Sequence, residues 1–238
     1  MEFEEQVKRF YKTAEAAPVA GGWQVMLDGR GLKTQGGRAQ VVPTRTLAVR
    51  LAGEWAAQGE ELVPSAFPMR DMTDYAVDMV EANPAVAIDA ILPYGDTDTL
   101  CYRAIEGDSF RTRQDEAWEP ILTAVELREG IAFARTSGVL HAAHPDGTRE
   151  RLRARLAGMD AFTLVAVQNM AAIAASLSIA LAALEPGADL DTLYAAANLE
   201  EDWQAMQWGW DEEALARRDA RLKGFTLAAE LAALVRQD

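Results

Sequence analysis

Two histidines, His141 and His144, stand as HxxH in a segment flanked by Gly138 and Pro145. A metal site at that spacing needs a third and fourth ligand nearby, and HExxH is absent, so no metal site is expected there. Cys101 is the sole cysteine. It reads either as a nucleophile or as a small buried apolar side chain, and it allows no internal disulfide, which suits a reducing compartment. Carboxylates come in close pairs: Asp96/Asp98, Asp115/Glu116, Glu200/Glu201 and Glu212/Glu213. Adjacent residues on a helix point about 100° apart, so such neighbours make poor acid–base partners. No GxSxG elbow, phosphate-binding Walker loop, GxGxxG turn or CxxC pair occurs, so no catalytic residue is assigned and no cofactor is expected.

The densest chemistry lies in "NLEEDWQAMQWGWDEEALARR", residues 198–218, where three of the chain's six tryptophans stand beside a run of carboxylates. Three readings compete: a packed helix with a solvated face, a pair of catalytic carboxylates, or a surface that grips another protein. At helical spacing Leu199, Trp203, Met206 and Trp210 line one side, with Glu201, Gln204 and Trp208 opposite. Past Gly209, Asp211 is placed to cap a final helix, and Glu212 and Glu213 fall in its first turn. The helix dipole favours negative charge there. That accounts for the acids but not for the tryptophans beside them.

The elements that must position these residues change along the chain. Residues 1–43 read as a meander of about four antiparallel strands: "FYKTAEA", "WQVML", a tight turn at Asp28-Gly29, "RGLKT", a second turn at Gly36-Gly37, and "RAQVV". Thr44 caps a helix over about 44–58, with Leu47, Leu51 and Trp55 as its apolar stripe. Helices are expected from Met69 to Asn83 and from Pro84 to Ile91. "DTLCYRA" has β character and is expected to return to the first sheet. Ser109 caps a helix through Trp118 and Leu127, with Pro120 in a break or first turn. From Thr148 onward the pattern is helical. Residues 161–184, "AFTLVAVQNMAAIAASLSIALAAL", hold no charge. Their alanine content, the Gln168-Asn169 pair and the acidic flanks predict a central buried helix rather than a membrane span. The fold class is therefore α+β: a small antiparallel β-rich region over residues 1–70, then a multihelical region over 71–238.

The chain has 238 residues, 23 basic against 37 acidic, for a net charge of −14. That balance argues against general nucleic-acid binding and against anionic membrane surfaces, and is compatible with a partner bearing a basic patch. The N-terminal "MEFEEQVKRFYK" resembles neither a secretory signal nor a transit peptide. A bacterial cytoplasmic setting is expected, or the mitochondrial matrix for a processed eukaryotic chain.

Ordered landmarks span nearly the whole sequence: "KRFYK" at 8–12, "LDGRGLKT" at 27–34, "VPT" at 42–44, "LAGEWAAQ" at 51–58, "DTLCYRA" at 98–104, "QDEAWEPIL" at 114–122 and "DWQAMQWGWDEEA" at 202–214. Together they resemble the F1-ATPase assembly chaperones that bind the unassembled α subunit. Gly31 and Gln35 depart from the prolines usual in that family's hairpin, which bears on loop stiffness. The resemblance implies a β-rich domain followed by a helical one, no enzymatic activity, no cofactor and no small-molecule substrate. It also implies partner binding by an acid just after the Trp-Gly pair: Glu212, with Glu213 as the fallback. With Trp208, Trp210, Asp98 and Arg103 these form the expected partner-binding set, while Leu199, Trp203 and Met206 are expected to anchor the helix in the core. A carboxylate-dependent hydrolase or a sugar-binding enzyme with a Trp-lined site is the alternative.

Overall fold

The computed structural model describes residues 7–236; the first six residues of the N-terminal stretch lie outside it. β1 (Ala14–Val19) and β2 (Gly22–Leu27) form an antiparallel pair running from Ala14 opposite Leu27 to Val19 opposite Gly22. The strand starts only at Ala14 because the Lys12 and Thr13 amides donate to the Asp28 carboxylate instead of a ladder. Asp28 and Gly29 both adopt positive φ, 48° and 76°, as a two-residue hairpin turn requires.

β3 (Arg30–Gly31) and β4 (Val41–Val42) both pair with the same partner, β2, at successive positions. The expected four-strand meander is thus corrected. The chain doubles back at Gly36-Gly37 so that the Gln40 amide meets the Leu32 carbonyl, and the Gln24 side chain also donates to that carbonyl. A Cβ at Gly31 would lie 2.6 Å from Gln24 Oε1, so a larger residue there would displace the Gln24 amide.

α1 (Arg45–Ala56) is capped by Thr44, whose hydroxyl accepts from the Leu47 amide. Leu47, Leu51 and Trp55 are buried at i, i+4 and i+8, the stripe that seats the helix on the sheet. The buried Glu54 accepts from the Met69 and Arg70 amides, closing the start of α2 (Pro68–Tyr75) and supplying acceptors for orphan helix donors. A π-helical turn, Ala76–Val80, continues α2, so the 70/71 division falls within a helix. One contiguous hydrophobic cluster runs from Tyr11 and Val25 through to Ala232.

α3 (Pro84–Ile91) and α4 (Pro93–Asp96) lead to β5 (Tyr102–Arg103). β5 pairs in parallel with β6 (Thr136–Ser137), not with the first sheet. Between them α5 (Ser109–Glu129) begins at an Asp108 cap and runs through Pro120 without a break. Pro120 and Glu116, four residues apart, both lie on the exposed face. Water can therefore take the carbonyl that proline leaves unpaired.

The uncharged segment 161–184 is two helices, not one. α6 (Thr148–Ala157) precedes α7 (Ala161–Ala174), and α8 (Leu177–Ala183) follows a break. At the break Ala175 takes φ 49° and Ser176 caps α8 through the Ile179 amide. Neighbouring chain satisfies the freed groups. Thr99 donates its amide and hydroxyl to the Ala175 carbonyl, and Asp98 accepts from the Ser178 amide at 2.8 Å. Among the described residues no helix is long and apolar enough to cross a membrane. α7 and α8 form the buried centre, with α11 (Glu212–Leu234) packed along α7.

Candidate protein interaction site

α9 (Leu190–Ala197) starts at an Asp189 cap that accepts from the Thr192 amide, and ends at Asn198. α10 (Leu199–Trp208) follows and contains no buried residue. It packs mainly on α9, so most of its circumference meets solvent. Gly209, at φ 88°, ends it. Asp211 caps α11 by accepting from the Ala214 amide at 2.7 Å, and Glu212 and Glu213 occupy the first turn as the sequence indicates.

The expected core role of Leu199, Trp203 and Met206 holds only for Leu199 and is corrected for Met206. Leu199 alone of the three packs against the core, as a partly buried residue. Trp203 is half-buried, its ring against Phe110 at 5.7 Å and under the Arg113 guanidinium at 5.3 Å. Met206 is 61% exposed and Trp208 78% exposed. An amphipathic stripe needs a facing element to be buried, and α5 covers this one only in part, through Phe110 and Arg113.

Leu199, Trp203 and Met206 instead form one wall of an open groove of ≈ 560 Å³, with Ala117, Pro120 and Ile121 of α5 on the other wall. Its floor is fixed by the buried Trp118, whose Nε1 donates to the Ala196 carbonyl at 2.7 Å. Arg218 of α11 braces the rim. It donates twice to Asp202, at 2.8 and 2.7 Å, while its guanidinium lies 5.7 Å from the Trp210 ring and 5.4 Å from the Tyr194 ring. Glu213 pairs with Arg217. Glu212 is exposed, with no ion pair or hydrogen bond among the described residues.

The six expected site residues therefore divide. Glu212, Glu213, Trp208 and Trp210 meet at the α10–α11 junction. Asp98 and Arg103 do not join them, which corrects their placement on a contact surface. Asp98 is fully buried, its carboxylate accepting from the Leu100 and Ser178 amides, and burial pushes its pKa up. Arg103 is 2% exposed and holds Asp115 at 2.9 Å and Glu119 at 3.0 Å. Both serve as internal supports.

Several other polar groups are engaged internally. Cys101 is buried and its thiol is pushed up to about 12 by burial and by Asp98, far from the thiolate a nucleophile needs. His144 is engaged on both nitrogens, Nδ1 by the Ala134 amide and Nε2 by the Gly95 carbonyl. Among the described residues no group of three or more His, Cys, Asp or Glu is placed to hold a metal. Asp115, Glu119 and Glu126 converge on Arg103 and Arg135, not on a cleft.

Sequence reasoning missed two features. Arg218 reaches back sixteen residues, beyond any local pattern. Val139 and Leu140, 93% and 77% exposed, form an apolar loop. Its only signal was "GVL" in a polar, glycine-bounded segment.

What this geometry offers is a broad aromatic and apolar surface with an acidic margin, the composition of a protein interface core and rim. The ATP12 chaperone protein family matches residues 8–126. The mitochondrial protein atp12 of Schizosaccharomyces pombe is 24% identical over 87% of this chain and 75% of its own length. The crystal structure of Atp12 from Paracoccus denitrificans superposes with a TM-score of 0.91 at 30% identity, covering 97% of this chain and 99% of that one. The Atu1473 protein of Agrobacterium tumefaciens, a putative chaperone, gives 0.91 at 34% identity over 96% and 86%. With the family's region, its fold and its sequence landmarks all present, the chain belongs to the ATP12 chaperone family of F1-ATPase assembly factors.

Proposed function

We propose that this protein is a non-enzymatic holdase that binds the unassembled F1 α subunit and keeps it from aggregating until the β subunit arrives. The observation that carries the reading is α10: a helix with no buried residue, presenting Met206 and Trp208 to solvent beside the acids of the next helix. Monomeric proteins rarely leave large aromatics uncovered at a formed groove unless something binds there. An isolated α subunit exposes apolar surface that its neighbours later cover, and such surface aggregates. Covering it requires neither nucleotide nor cofactor. The acidic margin, Glu212 above all, suits a basic rim on the client and steers its approach. The setting would be the bacterial cytoplasm or the mitochondrial matrix, where F1 is assembled.

The test is light scattering of α subunit diluted from denaturant, with and without a several-fold excess of this protein and without ATP. Suppressed scattering is expected; unchanged scattering refutes the proposal. The enzyme alternative gains nothing specific from the geometry, since the converging carboxylates are neutralised by arginines.

A further inference from the structure

The net charge of −14 hides a segregated distribution. Over residues 1–50 eight Lys and Arg stand against five acids, a local basic excess in a strongly acidic chain. Two of these cations, Arg30 and Lys33, lie at the β2–β3 hairpin, with one acid, Asp28, in its turn. A cavity of ≈ 420 Å³ opens there, walled by Phe10, Tyr11, Leu27 and Leu32 and edged by Arg30 and Lys33. Arg30 and Lys33 are exposed, and neither side chain has an ion pair or hydrogen bond among the described residues. One anion, Asp28, also lines the recess, its carboxylate held ionised by its hydrogen bonds. Asp28 accepts from the Lys12 amide, the Thr13 amide and the Thr13 hydroxyl, at 2.8 to 3.2 Å. Phe10 is 68% exposed at the mouth.

Unpaired cations in a strongly acidic protein require an explanation. Spread over the surface, they would be ordinary solvated groups. Here they edge an apolar recess large enough for one or two side chains, with an uncovered phenylalanine beside it. An apolar wall alone would fit any greasy segment, and cations alone any anion; together they select a ligand with both properties. We propose that this hairpin recess is a second docking site, separate from the α10–α11 surface, and that it takes an acidic segment of a client protein in which carboxylates alternate with apolar side chains. Carboxylates would meet Arg30, by its two-pronged guanidinium, and Lys33. The apolar side chain would enter between Phe10 and Leu32. The two surfaces have opposite charge, so the protein would grip clients at a basic rim and at an acidic segment by different ends.

The test uses the full chain and a fluorescein-labelled peptide of alternating aspartate and leucine, read by fluorescence anisotropy. Binding is expected at low salt and should weaken strongly at about 0.5 M salt. The double variant Arg30→Glu/Lys33→Glu should bind about ten-fold more weakly or worse. Phe10→Ala, which leaves the charges intact, should lose several-fold and covers the case in which the double variant misfolds. Glu212→Lys should bind the peptide like wild type, although it is expected to lose α-subunit protection. The failure of this inference is therefore distinct from failure of the holdase reading. The inference is overturned if wild type ignores the peptide, if an alternating lysine–leucine peptide binds equally, or if the charge-reversed variant is unaffected. It also falls if the hairpin variants change only adsorption to phosphatidylserine vesicles or salt-sensitive self-association, with peptide binding unaltered.

Discussion

Trp208→Ala separates a structural tryptophan from a contact one. At 78% exposure the side chain leaves roughly 50 of its about 250 Å² in contact with its own chain. At about 25 cal/mol per Å² its loss costs the fold about 1 kcal/mol, a drop of about 2–4 °C in Tm for a chain this size. The exposed remainder, about 200 Å², is worth about 5 kcal/mol before association costs when a partner covers it. Aromatic anchors of that kind commonly contribute about 2 kcal/mol or more to binding, roughly thirty-fold in Kd. The variant should therefore melt close to wild type in differential scanning fluorimetry, yet need far more protein to suppress scattering of diluted α subunit. Suppression at the wild-type dose would refute the assignment of α10 as the contact surface. A Tm loss above about 6 °C would instead show that Trp208 is buried in solution.

The same logic extends to charge. Glu212→Lys forfeits a favourable dipole position and gains a repulsive one, about 1–2 kcal/mol at most. It should retain its fold but lose α-subunit capture in a pull-down, whereas Glu150→Lys, an exposed acid in the first turn of α6, should cost less; equal effects would mean general electrostatics. Ala175→Gly relieves the left-handed backbone between α7 and α8 and should raise stability by about 0.5–1 kcal/mol in urea titration; a loss would mean the alanine methyl is packed. Trp118→Phe removes the donor to the Ala196 carbonyl and should cost about 1–3 kcal/mol of stability, with α-subunit binding falling as α9 and α10 loosen; an unchanged melt would mean that carbonyl finds another donor. For Glu54, burial raises the pKa above the ordinary 4.5, outweighing the Met69 and Arg70 amides and Arg50. Its contribution to stability is then full below that value and lost as pH rises through the folded value. The stability gap between wild type and Glu54→Gln should narrow as pH rises above 4.5; a widening gap would show that the amides and Arg50 dominate.

Local chemistry was legible in the sequence and long-range closure was not. Thr44, Asp211 and the Asp28-Gly29 turn act through neighbours two to four residues away, and each does in the structure what its type and position indicate. Misreadings arose where a distant element decides the outcome. The break at Ala175 depends on Thr99, seventy-six residues earlier, supplying donors to its carbonyl. Pro120 sits inside a helix because the unpaired carbonyl faces water, and solvent exposure depends on what packs elsewhere. α10 has a core-like stripe in sequence; only three dimensions show that its Met206 end is left uncovered.

The same dependence explains why Asp98 and Arg103 belong to the site's landmarks without touching its surface. Asp98 accepts from the Leu100 and Ser178 amides, fixing the turn that leads into β5 against the start of α8. Arg103, at the end of β5, binds Asp115 and Glu119 along one face of α5 and sits 5.2 Å from the Trp118 ring. Trp118 in turn donates to Ala196 in the last turn of α9, and α10 begins three residues later. The route from the "DTLCYRA" segment to the exposed tryptophans thus runs through hydrogen bonds, ion pairs to half-exposed carboxylates and the Arg103–Trp118 ring contact. The buried members, Asp98, Arg103 and Trp118, hold their geometry because losing a partner leaves a buried polar group unsatisfied. An exposed helix that packs mainly on one neighbour needs that rigidity behind it, since a surface that must be preformed for binding cannot obtain its order from solvent.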